Sequence, residues 1–386
     1  MGKRKMIKMV GIVILCLLVI AAGMMIYLAI ISNGKIREYK DEEGNTLEGS
    51  ISEKLVLEIN GARNGLFING KDLNNPVLLF VSSGPGTDDY FLNEKYPDMH
   101  IEDAYTICYW DYRGMGIAYD KNISPESIDL NTLVEDAASV TEYLMQRFGK
   151  EKIYIMAFSG GTNIALKTIE KYPEYYYAYI AMAQVIGGGD DNDTLIYQFM
   201  KDTFTERGDQ KRLKKLEKIV DKKPDGKVEC HNWYEYVALL HEAGGGTTMN
   251  ETEWEGITLP IIKSHCYTLK EKVDYIKGMK MYRTTTLDKE LEHKDYRKTD
   301  LNFDIPVYFI SGDHDYNCPW PLVEEYCGLI NAPDKAFYLI EDAAHSPLWE
   351  QQEKCYTILE EIKNNTLTEN HHEGSLSSWQ FKAGTD

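Results

Sequence analysis

Three residue types that together perform nucleophilic catalysis follow predicted buried strands. Ser159 lies in residues 157–161, which read Ala-Phe-Ser-Gly-Gly between an apolar run and a helical pattern. A serine hydroxyl needs a base to activate it, and the base needs an acid to orient it. Asp315 follows a later apolar run, and His345 follows the next one. The residue types and their order predict a catalytic triad of Ser159, Asp315 and His345.

The acid and the base each have a competitor in the same loop. Asp313 competes with Asp315, which we prefer because it lies further along the loop, just ahead of Cys318. His314 competes with His345, but it adjoins the acid and cannot easily reach over it.

The loop after an earlier buried strand supplies part of an oxyanion hole. Residues 82–86 read Ser-Ser-Gly-Pro-Gly. Pro85 lacks an N–H group, so either Ser83 or Gly84 must be the donor from this loop. Gly160, directly after the nucleophile, is expected to supply the other N–H.

The elements that must position these residues alternate between strands and helices. Six continuous apolar runs are typical of strands buried on both faces: residues 76–81, 104–110, 152–157, 177–183, 305–310 and 336–340. Helical patterns separate most of them, which predicts an α/β fold with a mostly parallel sheet and helices on both faces. We assign residues 51–189 and 301–363 to this core, residues 190–300 to a helical cap, and residues 364–386 to a disordered tail.

The N-terminus predicts a membrane anchor. Residues 9–31 contain no charged side chain, and four basic residues precede them. A run of this length spans a bilayer as a helix, and the basic flank places residues 1–8 in the cytoplasm. Residues 32–50 then form a linker, and the catalytic domain is extracytoplasmic on a single-pass protein of the cell membrane. A cleaved signal peptide fits less well because the apolar run is long. A lipoprotein signal at Cys16 is disfavoured by the large Leu15.

Composition excludes several other classes of function. The formal net charge of -19 disfavours nucleic-acid binding. The seven cysteines have irregular spacing, which matches neither a disulfide framework nor a zinc site. The sequence contains neither the His-Glu-x-x-His zinc motif nor a dinucleotide-binding glycine motif, so we expect no metal and no cofactor. It does not indicate an oligomeric state.

Four segments give the chain a specific resemblance. They are residues 83–86 (Ser-Gly-Pro-Gly), residues 110–116 (Trp-Asp-Tyr-Arg-Gly-Met-Gly), the turn around Ser159, and residues 312–319 with Asp315 at the acid position. In these segments the chain resembles the proline iminopeptidase family of the α/β-hydrolases over residues 55–183 and 303–362. The resemblance implies the α/β-hydrolase fold, an acyl-enzyme on serine, and aminopeptidase action on small peptides.

The chain also departs from that family. Ser82 stands where the family has histidine, and Phe158 and Gly160 replace the usual neighbours of the nucleophile. In the family, carboxylates of the cap hold the free amino group of the substrate. Glu235 and Glu242 are the candidates here, in an acidic stretch that also includes Glu251, Glu253 and Glu255. The departures keep two alternatives open: a carboxylesterase or lipase acting on esters, and a non-catalytic binding protein that retains the fold.

Overall fold

The structure is a computed structural model that describes residues 3–84, 86–97, 100–291 and 294–369. Within these ranges the strands are β1 (Ile51–Ile59), β2 (Ala62–Gly70), β3 (Val77–Val81), β4 (Thr106–Asp111), β5 (Ile153–Phe158), β6 (Tyr176–Met182), β7 (Val220–Lys222), β8 (Val228–Cys230), β9 (Val307–Gly312) and β10 (Lys335–Ile340). The helices are α1 (Lys3–Ile31), α2 (Leu92–Lys95), α3 (Ile101–Ala104), α4 (Leu130–Phe148), α5 (Gly161–Lys171), α6 (Asp190–Glu206), α7 (Gln210–Leu216), α8 (Trp233–Ala243), α9 (Leu259–Lys263), α10 (Leu269–Tyr282), α11 (Leu287–Leu291), α12 (Trp320–Leu329), α13 (Pro347–Glu350) and α14 (Gln352–Glu369).

Eight strands form one sheet in the order β1-β2-β4-β3-β5-β6-β9-β10. The hairpin β1–β2 is antiparallel, and β2 pairs antiparallel with β4. Every other neighbouring pair is parallel. Loops that follow parallel strands gather at one edge of the sheet, so the segments after β3, β5, β9 and β10 meet there.

Helices cover both faces of this sheet. Strand β5 is buried along its whole length and sends alternate side chains to opposite faces. Ile155 faces the core under α4, α5 and α12, whereas Met156 faces the core under α3, α13 and α14. Burial on both faces explains why these strands read as continuous apolar runs.

The segment between β6 and β9 leaves the sheet. Helices α6 to α8 and the hairpin β7–β8 pack around a separate small core that includes Phe204, Leu216 and Tyr236. A five-residue π-helical turn (Trp254–Thr258) leads directly into α9. Helix α10 then returns to the main domain, where the Tyr282 hydroxyl donates to the Arg113 carbonyl at 2.7 Å.

Helix α1 extends from the rest of the chain, and its segment Met6–Ile31 is long and apolar enough to cross a membrane. A signal sequence has the same properties. The segment after it packs against the region predicted as the cap. The Gly34 N–H donates to the His265 carbonyl at 2.9 Å, and the Lys272 ammonium donates to the Ser32 hydroxyl at 2.8 Å. Tyr39 is also buried.

The C-terminal segment departs from the sequence prediction. Disorder was expected from residue 364, but α14 continues to Glu369. The reason is packing: Thr366 is buried and shares a 2.6 Å hydrogen bond with the Tyr154 hydroxyl. The polar composition of this segment gave no sign of the contact between Thr366 and Tyr154, because the contact forms only in the folded chain. The remainder of the predicted tail, residues 370–386, lies outside the described residues.

Candidate active site

The turn between β5 and α5 holds Ser159 in a strained backbone conformation. Its φ is +50°, a left-handed value that a non-glycine residue rarely adopts. The neighbours must be small, because a Cβ on Gly161 would lie 2.3 Å from the Ser82 carbonyl oxygen. One on Gly160 would lie 2.8 Å from the Gly84 carbonyl oxygen. This is the geometry of a nucleophile elbow, with the serine at the start of a helix.

The His345 side chain lies within hydrogen-bond distance of both Ser159 and Asp315. The His345 Nε2 atom is 2.8 Å from the Ser159 Oγ atom. The His345 Nδ1 atom is 3.0 Å and 3.2 Å from the two oxygens of Asp315. Asp315 is fully buried, and His345 is 7% exposed. The arrangement can move a proton from the serine hydroxyl to the imidazole, with the carboxylate holding the ring.

Neighbouring groups fix the acid and the base in place. The Cys318 N–H donates to Asp315 at 3.0 Å. The backbone N–H of His345 donates to the Gly246 carbonyl at 3.2 Å. This bond connects the base to the region between β6 and β9. The Phe158 ring lies 5.0 Å from the imidazole. Glu350 accepts from the Ala344 N–H at 2.9 Å, directly before the base.

The two competing residues of this loop pair with each other. His314 Nδ1 lies 2.7 Å from the Asp313 carboxylate. Asp313 also accepts from the Ala343 N–H at 3.3 Å. Neither side chain lines the cavity above Ser159. The geometry therefore favours Asp315 and His345 for acid and base.

The oxyanion-hole prediction needs one correction. The Ser83 N–H donates to the Asp89 carboxylate at 2.5 Å, so this donor is already occupied. Among the described residues, the N–H groups of Gly84 and Gly160 have no hydrogen-bond partner. The two glycines are in close contact, which makes them the better pair of donors. Pro85 lies outside the described residues.

Asp111 at the end of β4 and Arg113 just after it stabilise the structure of the domain. Arg113 forms two hydrogen bonds with the Asp136 carboxylate of α4, at 2.5 Å and 2.7 Å. Both side chains are buried. Asp111 accepts from the Ile117 N–H at 2.9 Å, which closes the loop that follows β4. This segment therefore connects the sheet to α4.

A cavity of about 1200 Å³ opens above Ser159. Six carboxylates are among its described lining residues, and no lysine or arginine is: Asp88, Asp89, Asp190, Asp193, Glu229 and Glu253. Burial raises the pKa of Asp88 to about 7 and the pKa of Asp89 to about 6. An acidic cavity of this kind suits a substrate with a positive charge.

The two glutamates predicted to bind substrate lie outside this cavity. Glu242 pairs with Arg212 on the protein surface. Glu235 is exposed near the start of α8. Neither lines the cavity, so their assignment as substrate ligands is revised. Their positions on α8 face away because the buried side of that helix carries Tyr236, Leu239 and Leu240.

Two other residues of the same region, His241 and Glu253, line the cavity. Glu253 belongs to the acidic stretch named from the sequence, whereas sequence reasoning missed His241. Burial lowers the pKa of His241, which favours a neutral imidazole. Glu253 has neither an ion pair nor a hydrogen bond within the described part of the chain. It lies one residue before the π-helical turn, a local irregularity that no periodic pattern could reveal.

Comparisons with known proteins agree with this geometry. A family model described as serine aminopeptidase, S33, matches residues 101–228, which include Ser159. The probable aminopeptidase YbaC of Bacillus subtilis (strain 168) is 28% identical over 298 residues, covering 77% of this chain and 92% of that protein. The crystal structure of a proline iminopeptidase from Mycobacterium smegmatis aligns with a TM-score of 0.55. The chain has the α/β-hydrolase fold and is similar to serine aminopeptidases and to a proline iminopeptidase.

The structural alignments show the fold of this hydrolase. The Mycobacterium smegmatis structure is 13% identical, and the alignment covers 82% of this chain and 99% of that one. A bacterial membrane phospholipase A aligns with a TM-score of 0.56 at 15% identity, covering 95% of this chain and 99% of that one. Both share the α/β-hydrolase architecture. Because identities are this low, the substrate must be argued from the site itself.

Proposed function

We propose that this α/β-hydrolase is a membrane-anchored serine aminopeptidase that works through an acyl-enzyme. The observation that carries the proposal is the hydrogen-bonded series Ser159–His345–Asp315. Its order along the chain is the one expected for this fold. The serine aminopeptidase family model and the aminopeptidase relative support the same reaction class.

The reaction follows from these positions. The Ser159 oxygen attacks the substrate carbonyl carbon while its proton passes to His345 Nε2. The tetrahedral oxyanion accepts hydrogen bonds from the N–H groups of Gly84 and Gly160. As the carbon–nitrogen bond breaks, His345 returns that proton to the departing amine. Water then hydrolyses the acyl-enzyme by the same proton path, with Asp315 holding the imidazolium throughout.

The charge of the cavity favours a substrate with a free amino group. An unblocked N-terminus is largely positive near neutral pH. We assign Glu253 to that amine, because the other five lining carboxylates already accept a hydrogen bond or pair with a lysine. A substrate with a blocked amine could not make this interaction with Glu253, so the enzyme should discriminate between free and acetylated substrates.

The membrane part of the proposal rests on α1. Its segment Met6–Ile31 has the length and composition of a membrane span, and residues 6–27 of it are exposed. The basic residues before it favour a short N-terminus in the cytoplasm. The catalytic domain is then extracytoplasmic, with residues 32–50 leading into it.

A carboxylesterase or lipase is the second candidate. The structural likeness to a membrane phospholipase A, which extends over 95% of this chain, motivates it. The lining of the cavity argues against a phosphate-bearing substrate. Of its six carboxylates, Asp190 and Glu229 pair with Lys223, and the others would repel the phosphate, since no described lining residue is a lysine or arginine. A neutral ester is not opposed in this way.

Two measurements on the full chain in detergent test the proposal. A fluorophosphonate probe should label the wild type and should not label Ser159→Ala. Failure to label folded wild-type protein would favour the non-catalytic binding protein. The ratio of rates on free and acetylated prolyl arylamides should be well above one. A ratio near one, with rapid hydrolysis of p-nitrophenyl acetate, would favour the esterase.

A further inference from the structure

Asp89 is a buried carboxylate beside the reaction centre, and the mechanism above does not use it. Its side chain is 4% exposed and lies on the loop after β3. Burying a charge in such a place costs free energy unless hydrogen bonds compensate. The partners of Asp89 therefore indicate its role.

Both partners of this carboxylate belong to Ser83. The Ser83 N–H donates to one carboxylate oxygen at 2.5 Å, and the Ser83 hydroxyl donates to the other at 2.7 Å. Two charge-assisted hydrogen bonds to one residue fix both its backbone and its side chain.

The carbonyl of Ser83 is held as well. The Tyr112 hydroxyl donates to it at 2.9 Å. That carbonyl belongs to the same planar peptide as the Gly84 N–H, and in a trans peptide the two groups point in opposite directions. Fixing the carbonyl on Tyr112 therefore fixes the direction of the Gly84 N–H on the far side. Gly84 in turn lies against Gly160, next to the nucleophile.

We propose that Asp89 is a positioning residue that, through Ser83 and together with Tyr112, aims the Gly84 N–H at the oxyanion. This inference rests on the proposed function, because it needs acyl chemistry at Ser159. It assigns no substrate contact to Asp89, although the residue lines the cavity.

Other titratable groups act on the same carboxylate. They are Asp88 on the same loop, Tyr109 and Asp111 on β4, Tyr112 after it, Tyr275 on α10, and His345. Because His345 is itself part of the proposed mechanism, a pH profile would not isolate Asp89. The test therefore relies on kinetic constants and on rescue by a conservative variant.

The variants differ in how many bonds to Ser83 they retain. Asp89→Ala loses both, and kcat should fall about 100-fold, near the loss of one oxyanion donor. KM should change less than about threefold, since no substrate contact is lost. The asparagine of Asp89→Asn can accept from the Ser83 N–H and donate to the Ser83 hydroxyl. Its kcat should therefore be about tenfold higher than that of Asp89→Ala. Ser83→Ala loses only the hydroxyl bond, and kcat should fall about fivefold.

The assays use the full chain with a prolyl arylamide and with p-nitrophenyl acetate, and both substrates should show the same loss. Glu102→Gln is the matched control, because Glu102 is a buried acid that does not line the cavity. Should Asp89→Ala fail to fold, Asp89→Asn and Ser83→Ala carry the test.

Two results would overturn the inference while the wild type remains active. One is a kcat of Asp89→Ala within about threefold of the wild type. The other is a raised KM for the free-amine substrate alone, which would make Asp89 an amine ligand. A wild type that neither reacts with the fluorophosphonate nor turns over either substrate would instead refute the proposed function.

Discussion

Replacing Asp315 by asparagine isolates the acid without changing its size. The asparagine oxygen can keep the bond from the Cys318 N–H, which is 3.0 Å long in the structure. Its amide nitrogen then replaces the oxygen that lies 3.2 Å from His345 Nδ1 and can donate to that atom. An imidazole that accepts this bond carries its proton on Nε2 and cannot accept the serine proton.

The size of the effect follows from burial and distance. The carboxylate lies 3.0 Å and 3.2 Å from Nδ1 and is fully buried. Two unit charges about 4 Å apart at an effective dielectric constant of about 20 attract by about 4 kcal/mol. Losing that stabilisation of the imidazolium slows the reaction by about three orders of magnitude. The wrong tautomer brings the expected loss to between about 10³-fold and 10⁴-fold.

The rate of fluorophosphonate labelling measures this loss without knowledge of the natural substrate. Asp315→Asn should label at least about 10³-fold more slowly than the wild type. Asp313→Asn is the matched control and should stay within about threefold, because Asp313 pairs with His314 away from the cavity. Thermal unfolding checks that both variants fold. Labelling of Asp315→Asn within tenfold of the wild type, or a larger loss in Asp313→Asn, would refute the reasoning.

Three further predictions test the cavity, the segment after β4 and the buried acids. Glu253→Gln should lower kcat/KM for a free prolyl arylamide about fivefold, the effect of losing about 1 kcal/mol in a charge-assisted hydrogen bond. The rate of fluorophosphonate labelling should not change. An equal loss on the acetylated arylamide would contradict this prediction. Arg113→Ala should lower the free energy of unfolding by about 3–5 kcal/mol because it leaves Asp136 buried without its cation. Arg147→Ala, which breaks a partly exposed pair, should cost less than about 1 kcal/mol; similar losses in denaturant titrations would contradict the argument from burial. Asp88→Asn should stabilise the protein at pH 8 by on the order of 1–4 kcal/mol and have little effect near pH 4. Burial raises the pKa of Asp88 to about 7. The stability contributed by the protonated carboxyl is fully present below the pKa that Asp88 has in the unfolded chain, and it is lost as pH rises through 7. Thermal midpoints of wild type and variant that do not separate with rising pH would contradict this.

Local sequence signals predicted the sheet and the residues around Ser159 because they depend on near neighbours. An apolar run followed by small residues around a serine is sufficient to indicate a strand, a tight turn and a helix. The same holds for Asp315 and His345, each in a loop that follows a predicted strand.

The cavity wall could not be predicted in the same way. Glu235 and Glu242 were selected because they carry charge on a helix, but the apolar side of α8 turns them outward. Glu253 lines the cavity from the position just before a π-helical turn, and such a turn has no sequence period. The bond between Ser83 and Asp89 likewise depends on how one loop folds back on itself. Charge and composition alone do not encode such directions.

The packed segment after α1 determines how freely the catalytic domain moves relative to its anchor. A flexible chain of 19 residues, the length of the predicted linker, would have a root-mean-square reach of about 25 Å. Here Ser32 and Gly34 bond to residues 272 and 265 immediately after the helix ends. For a domain attached to a bilayer through α1, this packed segment holds the cavity at one distance from the bilayer and in one orientation. Substrates would then have to reach a fixed opening, and the bilayer itself would limit the directions from which they approach.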